Sequence, residues 1–127
     1  MKSLIVIPAR GGSKGLPGKN IKKLAGKPLI CYSIDIARQV ADDEDICVST
    51  DSAEIIEVVE NYGLKVPFVR PTELSTDEST TNDVLRHALQ FYKNNGKEYE
   101  NIILLQPTSP LRTKEDIVNA IKLYRVI

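Results

Sequence analysis

The sequence lacks tryptophan and has one His, one Met and two Cys in 127 residues, while its 17 Lys plus Arg balance 17 Asp plus Glu. A neutral chain has no broad basic face, so nucleic acid is not expected as a partner. Cys31 and Cys47 stand apart without metal-ligand spacing, which predicts two buried thiols and gives no support for a redox function. His87 has no partner motif, and we interpret it as structural.

Long hydrophobic runs are also absent. No apolar stretch reaches the roughly eighteen residues of a membrane span, and the apolar run after Met1 and Lys2 is too short for a signal segment. A chain of 127 residues corresponds to about one domain. We therefore expect a cytoplasmic domain without a membrane partner.

What the chain does contain is four short apolar runs separated by helical patterns. The runs cover residues 3–9, 45–50, 65–70 and 101–106. The first, second and fourth are continuous rather than alternating, as in parallel strands that are covered on both faces. Pro67 cannot donate to a ladder, which predicts that the third run is an edge strand. The expected fold class is α/β, with a Rossmann-like, doubly wound and mostly parallel sheet.

Capping residues and apolar spacing predict four helices. They run from Pro28 to near Ala41, from Asp51 or Ser52 to Gly63, from Thr80 or Thr81 to just before Gly96, and from a capping box of Thr113 with Asp116 through Ile121 and Tyr124. The last helix has no stop signal before the apolar end of the chain. This predicts a chain cut from something longer, with a terminal helix docked on the sheet as the alternative.

The first strand leads into a loop rich in glycine and positive charge, PARGGSKGLPGKN. Six basic residues and no acidic one lie between Arg10 and Lys27. The glycines allow backbone N–H groups to approach a ligand closely, so the loop is predicted to bind phosphates. Its spacing excludes a P-loop, since five residues separate Gly12 from Gly18 and Asn20 follows Lys19. It does not match a dinucleotide fingerprint either.

Five motifs, in the same order along the whole chain, resemble the sugar-activating cytidylyltransferases, most closely the acylneuraminate cytidylyltransferase (CMP-N-acetylneuraminic acid synthetase) family. They are ARGGSKGLPGKN, LAGKPLI, VSTD, RPTELSTDESTTNDV and LLQPTSPLR. The resemblance implies a fold of the nucleotide-diphospho-sugar transferase type. It also implies a nucleotidyltransferase that converts CTP and an N-acylneuraminate, a nine-carbon sugar acid, to CMP-N-acylneuraminate and pyrophosphate. The alternatives are CMP-pseudaminate, CMP-legionaminate or CMP-3-deoxy-octulosonate synthesis, and a non-catalytic nucleotide-binding fragment.

The resemblance also implies the site residues. The nucleotide-binding positions are Arg10, Gly11, Gly12, Ser13, Lys14, Gly15, Lys19, Asn20, Arg70, Ser79 and Thr81, with Arg10 and Lys19 as the catalytic cations; the sugar-binding positions are Gln106, Thr108 and Ser109. Ser79 and Thr81 are equally well read as helix caps, and Arg112 either binds the sugar carboxylate or is solvated. Asp51 is predicted to cap a helix rather than to bind metal. We interpret Lys22, Lys23 and Lys27 as surface lysines.

Complete members of the family continue beyond the length of this chain. By resemblance, residues 1–127 are the N-terminal part of a single cytidylyltransferase domain, and the Mg²⁺ ligands and a dimerisation extension belong to a further half. We assign no metal ligand within residues 1–127. The expected parent enzyme is a magnesium-dependent homodimer, and the chain alone is expected to have little or no turnover.

Overall fold

A computed structural model describes residues 3–9, 23–24, 26–71, 74, 81–105 and 121–125. These residues form strands and helices that alternate along most of the chain. The elements are β1 Ser3–Pro8, β2 Lys23–Leu24, β3 Lys27–Pro28, α1 Leu29–Arg38, a 3₁₀ turn Asp43–Asp45, β4 Ile46–Ser49, α2 Ala53–Asn61, α3 Thr81–Asn94, β5 Asn101–Leu105 and β6 Ile121–Arg125.

The main sheet has the strand order β4-β1-β5-β6. Its central strand β1 is parallel to β4, with Ile5 opposite Ile46, and parallel to β5, with Leu4 opposite Ile102. The three continuous apolar runs therefore form parallel strands, as the sequence predicts. The strands β2 and β3 form a separate antiparallel hairpin.

Alternate residues of the strands pack against opposite layers of helices. Ile5 and Ile7 of β1 join Ile34 of α1 and Val59 of α2 in one buried cluster, which we call the aliphatic face. Leu4 and Val6 join a second cluster, the aromatic face, which contains Leu85, Ala88 and Tyr92 of α3 together with Cys47, Tyr99, Ile102 and Leu104. Because both faces of the sheet are covered, the middle positions of β1, β4 and β5 are apolar without interruption.

The predicted edge strand over residues 65–70 is wrong. Residues 64–71 have no regular secondary structure. Their backbone N–H groups bond outside any ladder: that of Val66 donates to the Glu60 carboxylate at 3.3 Å, and that of Arg70 donates to the Thr50 carbonyl at 2.8 Å. One bond goes to a side chain and the other to the residue that follows β4, so neither belongs to a ladder with that strand.

The last predicted helix is also wrong where the structure describes it. Residues 121–125 form β6, which is antiparallel to β5, with Ile102 opposite Tyr124. The apolar spacing from Ile117 to Tyr124 fits a helix, but a strand here satisfies the open side of β5. Tertiary pairing therefore overrides the local pattern. Residues 113–120 lie outside the described part of the chain.

The other three helices agree with their predicted positions to within a few residues. The helix α1 starts one residue later than expected, because Pro28 pairs with Lys23 in the hairpin and acts as the N-cap. Gly63 ends α2 with φ 94°, a conformation that favours glycine. Cys31 and Cys47 are both buried and free, as predicted, and burial raises the pKa of the Cys47 thiol to about 12. Within the described residues, no helix is both long and apolar enough to cross a bilayer.

Candidate functional site

The carboxyl ends of β1, β4 and β5 meet at one edge of the sheet, because the three strands are parallel. Pro8 at the end of β1 lies opposite Ser49 at the end of β4. The pairing continues one step further, since the Ala9 N–H donates to the Ser49 carbonyl at 2.9 Å. Ala9 is 1% exposed, so the chain is firmly held up to the residue that precedes Arg10.

The direction in which the chain adds strands to the sheet reverses between β1 and β5. From β1 the chain moves to β4 on one side, and it later returns to β5 and β6 on the other side of β1. In open α/β sheets, ligands bind outside the carboxyl ends of the strands at such a reversal. Ala9 and Leu105 stand on its two sides, and the predicted site residues Arg10 and Gln106 directly follow them in the sequence.

Most of the predicted site residues lie outside the described part of the chain. They are Arg10, Gly11, Gly12, Ser13, Lys14, Gly15, Lys19, Asn20, Ser79, Gln106, Thr108 and Ser109. Arg112 also lies outside it. Their roles stay predictions, and the structure fixes only the strand ends from which their segments begin. Of the predicted nucleotide-binding residues, Arg70 and Thr81 are described.

Arg70 is a buried cation at the carboxyl end of β4. The residue is 5% exposed. Its Nε donates to the Ser49 hydroxyl at 3.0 Å and its Nη2 donates to the Ser49 carbonyl at 2.6 Å, while Nη1 makes a longer contact of 3.5 Å with the Leu74 carbonyl. With the backbone bond to Thr50, these contacts fix residue 70 against the strand end. Arg70 therefore reaches the predicted edge, where it also supports the end of β4.

Ser49 and Thr50 are the polar residues at this edge that the sequence interpretation missed. Both are fully buried, at 0% exposure. The Ser49 hydroxyl accepts from Arg70, and the Thr50 hydroxyl accepts from the Ser52 N–H at 3.1 Å. The signal was present in the sequence, because two hydroxyl residues ending a fully apolar strand need buried hydrogen-bond partners.

The start of α2 corrects the prediction for Asp51. Ser52 is the N-cap, and its hydroxyl accepts from the Ile55 N–H at 3.3 Å. Asp51 therefore precedes the cap rather than forming it. Ser is as good an N-cap as Asp, so the sequence alone did not decide which of the two residues caps α2.

Thr81 is the first residue of α3, and its side chain is exposed. The 14 residues of α3 extend about 21 Å and end at Asn94, a short connection before the amino end of β5. The start of α3 therefore points toward the carboxyl edge of the sheet, on the side of the aromatic face. This placement agrees with a ligand contact, and Thr81 stands inside the helix rather than at its cap.

A magnesium site is not formed by the described residues. Among them, no three His, Cys, Asp or Glu side chains come together in a group that could hold a metal ion. Asp51 lies two residues after the end of β4, and one carboxylate does not make a magnesium site. We therefore assign no chemical step to a metal.

These features define an α/β domain, and the carboxyl edge of its sheet is the candidate ligand site. A family model described as cytidylyltransferase matches residues 4–125, and the chain belongs to this cytidylyltransferase family. The predicted family is thus confirmed.

Two curated relatives match almost the whole chain. It is 44% identical to the CMP-N,N'-diacetyllegionaminic acid synthase of Legionella pneumophila over 126 residues, which are 99% of this chain and 54% of the relative. It is 42% identical to the N-acylneuraminate cytidylyltransferase of Escherichia coli O18:K1:H7, again over 99% of this chain but 29% of the relative. The chain thus spans about half or less of the length of these relatives.

A solved structure agrees with the fold. The CMP:2-keto-3-deoxy-manno-octonic acid synthetase complexed with CTP superposes with a TM-score of 0.70 at 31% identity, over 94% of this chain and 45% of the other. The predicted fold of the nucleotide-sugar transferase type is confirmed by this match.

Proposed function

We propose that the chain forms the nucleotide-binding part of an enzyme that activates a sialic-acid-type 2-keto sugar acid. The reaction would convert CTP and an N-acylneuraminate to CMP-N-acylneuraminate and pyrophosphate. The observation that carries the proposal is the reversal between β1 and β5, from which the glycine loop and the LLQPTSPLR segment begin side by side, in a chain of the cytidylyltransferase family.

In this proposal the glycine loop holds the triphosphate. Backbone N–H groups of Gly11, Gly12 and Gly15 would donate to phosphate oxygens, and Arg10, Lys14 and Lys19 would neutralise their charge. Ser13 and Asn20 would complete the set on the loop. Hydrogen bonds to charged groups are worth roughly 1.5–3 kcal/mol each, so two or three of them are enough to set the affinity for the nucleotide.

The remaining residues would orient the two substrates. Arg70 and Thr81, with Ser79, would approach the nucleotide from the β4 side of the edge. Gln106, Thr108 and Ser109 would approach the sugar acid from the β5 side. This division follows the strand order, because β4 and β5 lie on opposite sides of β1.

The chemistry is an in-line displacement. The anomeric hydroxyl of the sugar acid attacks the α-phosphorus of CTP, a new P–O bond forms to that oxygen, and the bond to the leaving pyrophosphate breaks. Charge builds up on the phosphate oxygens and on the leaving group, so catalysis consists mainly of positioning and charge neutralisation. Arg10 and Lys19 are the residues to which we assign that neutralisation.

Three further parts of the proposal depend on sequence that lies outside this chain. A divalent cation such as Mg²⁺ would neutralise phosphate charge when bound, and its ligands are expected in the half of the relatives that the chain does not cover. The complete enzyme is proposed to be a homodimer in the cytoplasm. The chain alone is proposed to have little or no turnover.

The sugar acid itself has more than one candidate. A CMP-legionaminate product is favoured by the 44% identity to the Legionella synthase, and CMP-3-deoxy-octulosonate by the superposed structure. Pseudaminate is a third candidate by resemblance. A non-catalytic nucleotide-binding module is the competing class of function.

Pyrophosphate release from CTP, measured with each of these sugar acids, tests the proposal. The assay would compare the chain alone with the chain complemented in trans by the second half of the Legionella relative. We expect pyrophosphate and a CMP-sugar only in the complemented reaction, and loss of both with Lys19→Ala but not with the exposed-site control Lys93→Met. Thermal stabilisation by CTP without product in any reaction would support the binding module instead.

A further inference from the structure

Lys27 is not a solvated surface lysine, contrary to the sequence interpretation. Its ammonium group forms an ion pair with Asp35 of α1 and lies 4.7 Å from the ring centroid of Tyr32 and 5.3 Å from that of Tyr62. The Tyr62 hydroxyl donates to the other Asp35 carboxylate oxygen at 2.7 Å. These four residues, which we call the Lys27 cluster, connect the β2–β3 hairpin to α1 and to the end of α2.

The charges of the cluster are partly withdrawn from water. The side chain of Lys27 is 29% exposed and that of Asp35 is 38% exposed. The hydrogen bond to Asp35 is the main reason that the pKa of Lys27 is raised. Burial alone would raise the pKa of Asp35, but the hydrogen bonds from Lys27 and Tyr62, together with the positive charges of Lys27 and Arg38, outweigh burial and lower that pKa. Both groups therefore stay charged over the physiological range.

The hairpin that Lys27 holds is too short to be stable by itself. It consists of two residue pairs, Lys23 with Pro28 and Leu24 with Lys27, around a turn in which Gly26 has φ 81°. Isolated two-stranded hairpins are marginally stable at best, even when they are longer. The hairpin runs directly into α1 at Leu29, and the contacts of Lys27 with Asp35 and Tyr62 fix it further to α1 and to the end of α2.

The hairpin stands at the returning end of the glycine loop. The outgoing end of that loop is fixed by the sheet, through the Ala9 bond to Ser49. The returning end reaches the described chain again at Lys23. A loop that binds an anion through many weak donors benefits from having both ends fixed, because less conformational entropy is lost on binding.

We propose that the Lys27 cluster is a positioning device for the phosphate-binding loop. By fixing the hairpin to α1 and α2, it would hold the loop in the geometry that receives the triphosphate, without touching the nucleotide. This inference rests on the proposed function, since it assigns CTP binding to the loop. Lys27, Asp35 and Tyr62 are positioning residues in it, not catalytic ones.

Calorimetric affinities of the 127-residue chain for CTP and for CMP test the inference. We expect Lys27→Met to weaken CTP binding about tenfold while CMP binding, which does not use the β- and γ-phosphates, changes far less. Asp35→Asn should act similarly, and the double variant should be no worse than the worse single variant. Lys93→Met removes an exposed positive charge on α3 and should leave both affinities unchanged.

Tyr62→Phe is the mildest variant, because it removes the hydroxyl bond to Asp35 and keeps the ring beside Lys27. It should shift the CTP affinity in the same direction by a smaller factor. A general loss of stability would lower the affinities for CTP and CMP together. Equal losses for the two ligands, or unchanged CTP affinity in both Lys27→Met and Tyr62→Phe, would overturn the inference.

Hydrogen exchange of the hairpin provides a measurement that does not depend on nucleotide. The peptide spanning residues 23–30 should exchange faster in Lys27→Met than in the parent, with β1 and α3 unchanged. If the parent fails to bind CTP, the proposed function fails, yet faster hairpin exchange in Lys27→Met would still show that the Lys27 cluster fixes the hairpin. Unchanged hairpin exchange would overturn that role of the Lys27 cluster, whatever the nucleotide result.

Discussion

The two faces of the sheet are covered by different chemistry. On the aliphatic face, α1 and α2 bury branched side chains such as Ile34, Ile55 and Val59. On the aromatic face, α3 and the adjoining segments bring rings together, with centroid distances of 4.9 Å for Phe68 and Phe91 and 5.7 Å for Tyr92 and Tyr99.

The helices on each face also hold a different segment of the chain outside the sheet. The helices of the aliphatic face hold the hairpin after the glycine loop, through the Lys27 cluster. The aromatic face holds the segment that carries Arg70, because the Phe68 ring packs edge-on against His87 at 4.6 Å between centroids. The helical layers therefore do more than cover the sheet, since each also fixes one segment outside the sheet.

The largest effects are expected from truncating one buried aliphatic residue on each face. Ile34 of α1 is 0% exposed and Leu85 of α3 is 4% exposed. Replacing either by Ala should lower the free energy of unfolding by about 2–5 kcal/mol, through lost burial and a residual cavity. Urea denaturation measures this, and Val40→Ala, at a position 71% exposed, is the control. A two-step transition in one variant would show that the two faces do not unfold together.

Arg70→Lys should have the next largest effect, on the aromatic side of the site. Lysine keeps the charge but cannot reproduce the two bonds of the guanidinium to Ser49. We expect a loss of about 1.5–3 kcal/mol in stability, the usual worth of a hydrogen bond to a charged group, together with weaker CTP binding. Arg86→Lys, at an exposed position of α3, is the matched control. Lower stability with unchanged CTP affinity would make Arg70 purely structural.

A smaller effect is expected at the cap of α2, on the aliphatic side. Ser52→Ala removes the hydroxyl that accepts from Ile55 and should cost about 1 kcal/mol, whereas Ser52→Gly should cost only a few tenths. Thermal denaturation of the two variants checks the difference. Equal stability of Ser52→Ala and the parent would contradict the cap.

The smallest effect is a pH dependence of the Lys27 cluster. The pKa of Asp35 is lowered from 3.8, so its contribution to stability is present above that value and is lost as the pH falls through the folded pKa. The pKa of Lys27 is raised from 10.5, so its contribution is present below that value and is lost as the pH rises through the folded pKa. Arg38 adds positive charge near Asp35 and acts in the same direction as Lys27.

The stability difference between the parent and Lys27→Met should therefore stay constant between about pH 5 and pH 9 and shrink in acid, below the ordinary carboxylate range. Denaturation curves at a series of pH values measure it. A difference that grows as the pH falls would contradict the ion pair.

The core of the fold could be predicted from the sequence because it obeys one rule. Strands covered on both faces need nearly continuous apolar runs, and the middle positions of residues 3–9, 45–50 and 101–106 form such runs. Helix ends were predictable where one residue type decides them, as Gly63 does. These signals are local and need no knowledge of neighbouring elements.

The parts that could not be predicted depend on contacts between distant segments. Whether residues 121–125 become helix or strand is decided by the open side of β5, not by their own spacing. Lys27 resembles any loop lysine until Asp35 and Tyr62, 8 and 35 positions away, surround it. The sequence indicates that Ser49 needs a buried partner, but only the fold shows that this partner is Arg70.

Titration calorimetry of the chain with CTP, with and without divalent ions, tests the central claim most directly. We predict saturable binding by the parent and affinities about ten- to a hundredfold weaker for Arg10→Ala and Lys19→Ala, since each loses charge-assisted bonds of roughly 1.5–3 kcal/mol. No heat from CTP, or variants that bind it as tightly as the parent does, would contradict the claim that the loop after β1 holds the triphosphate.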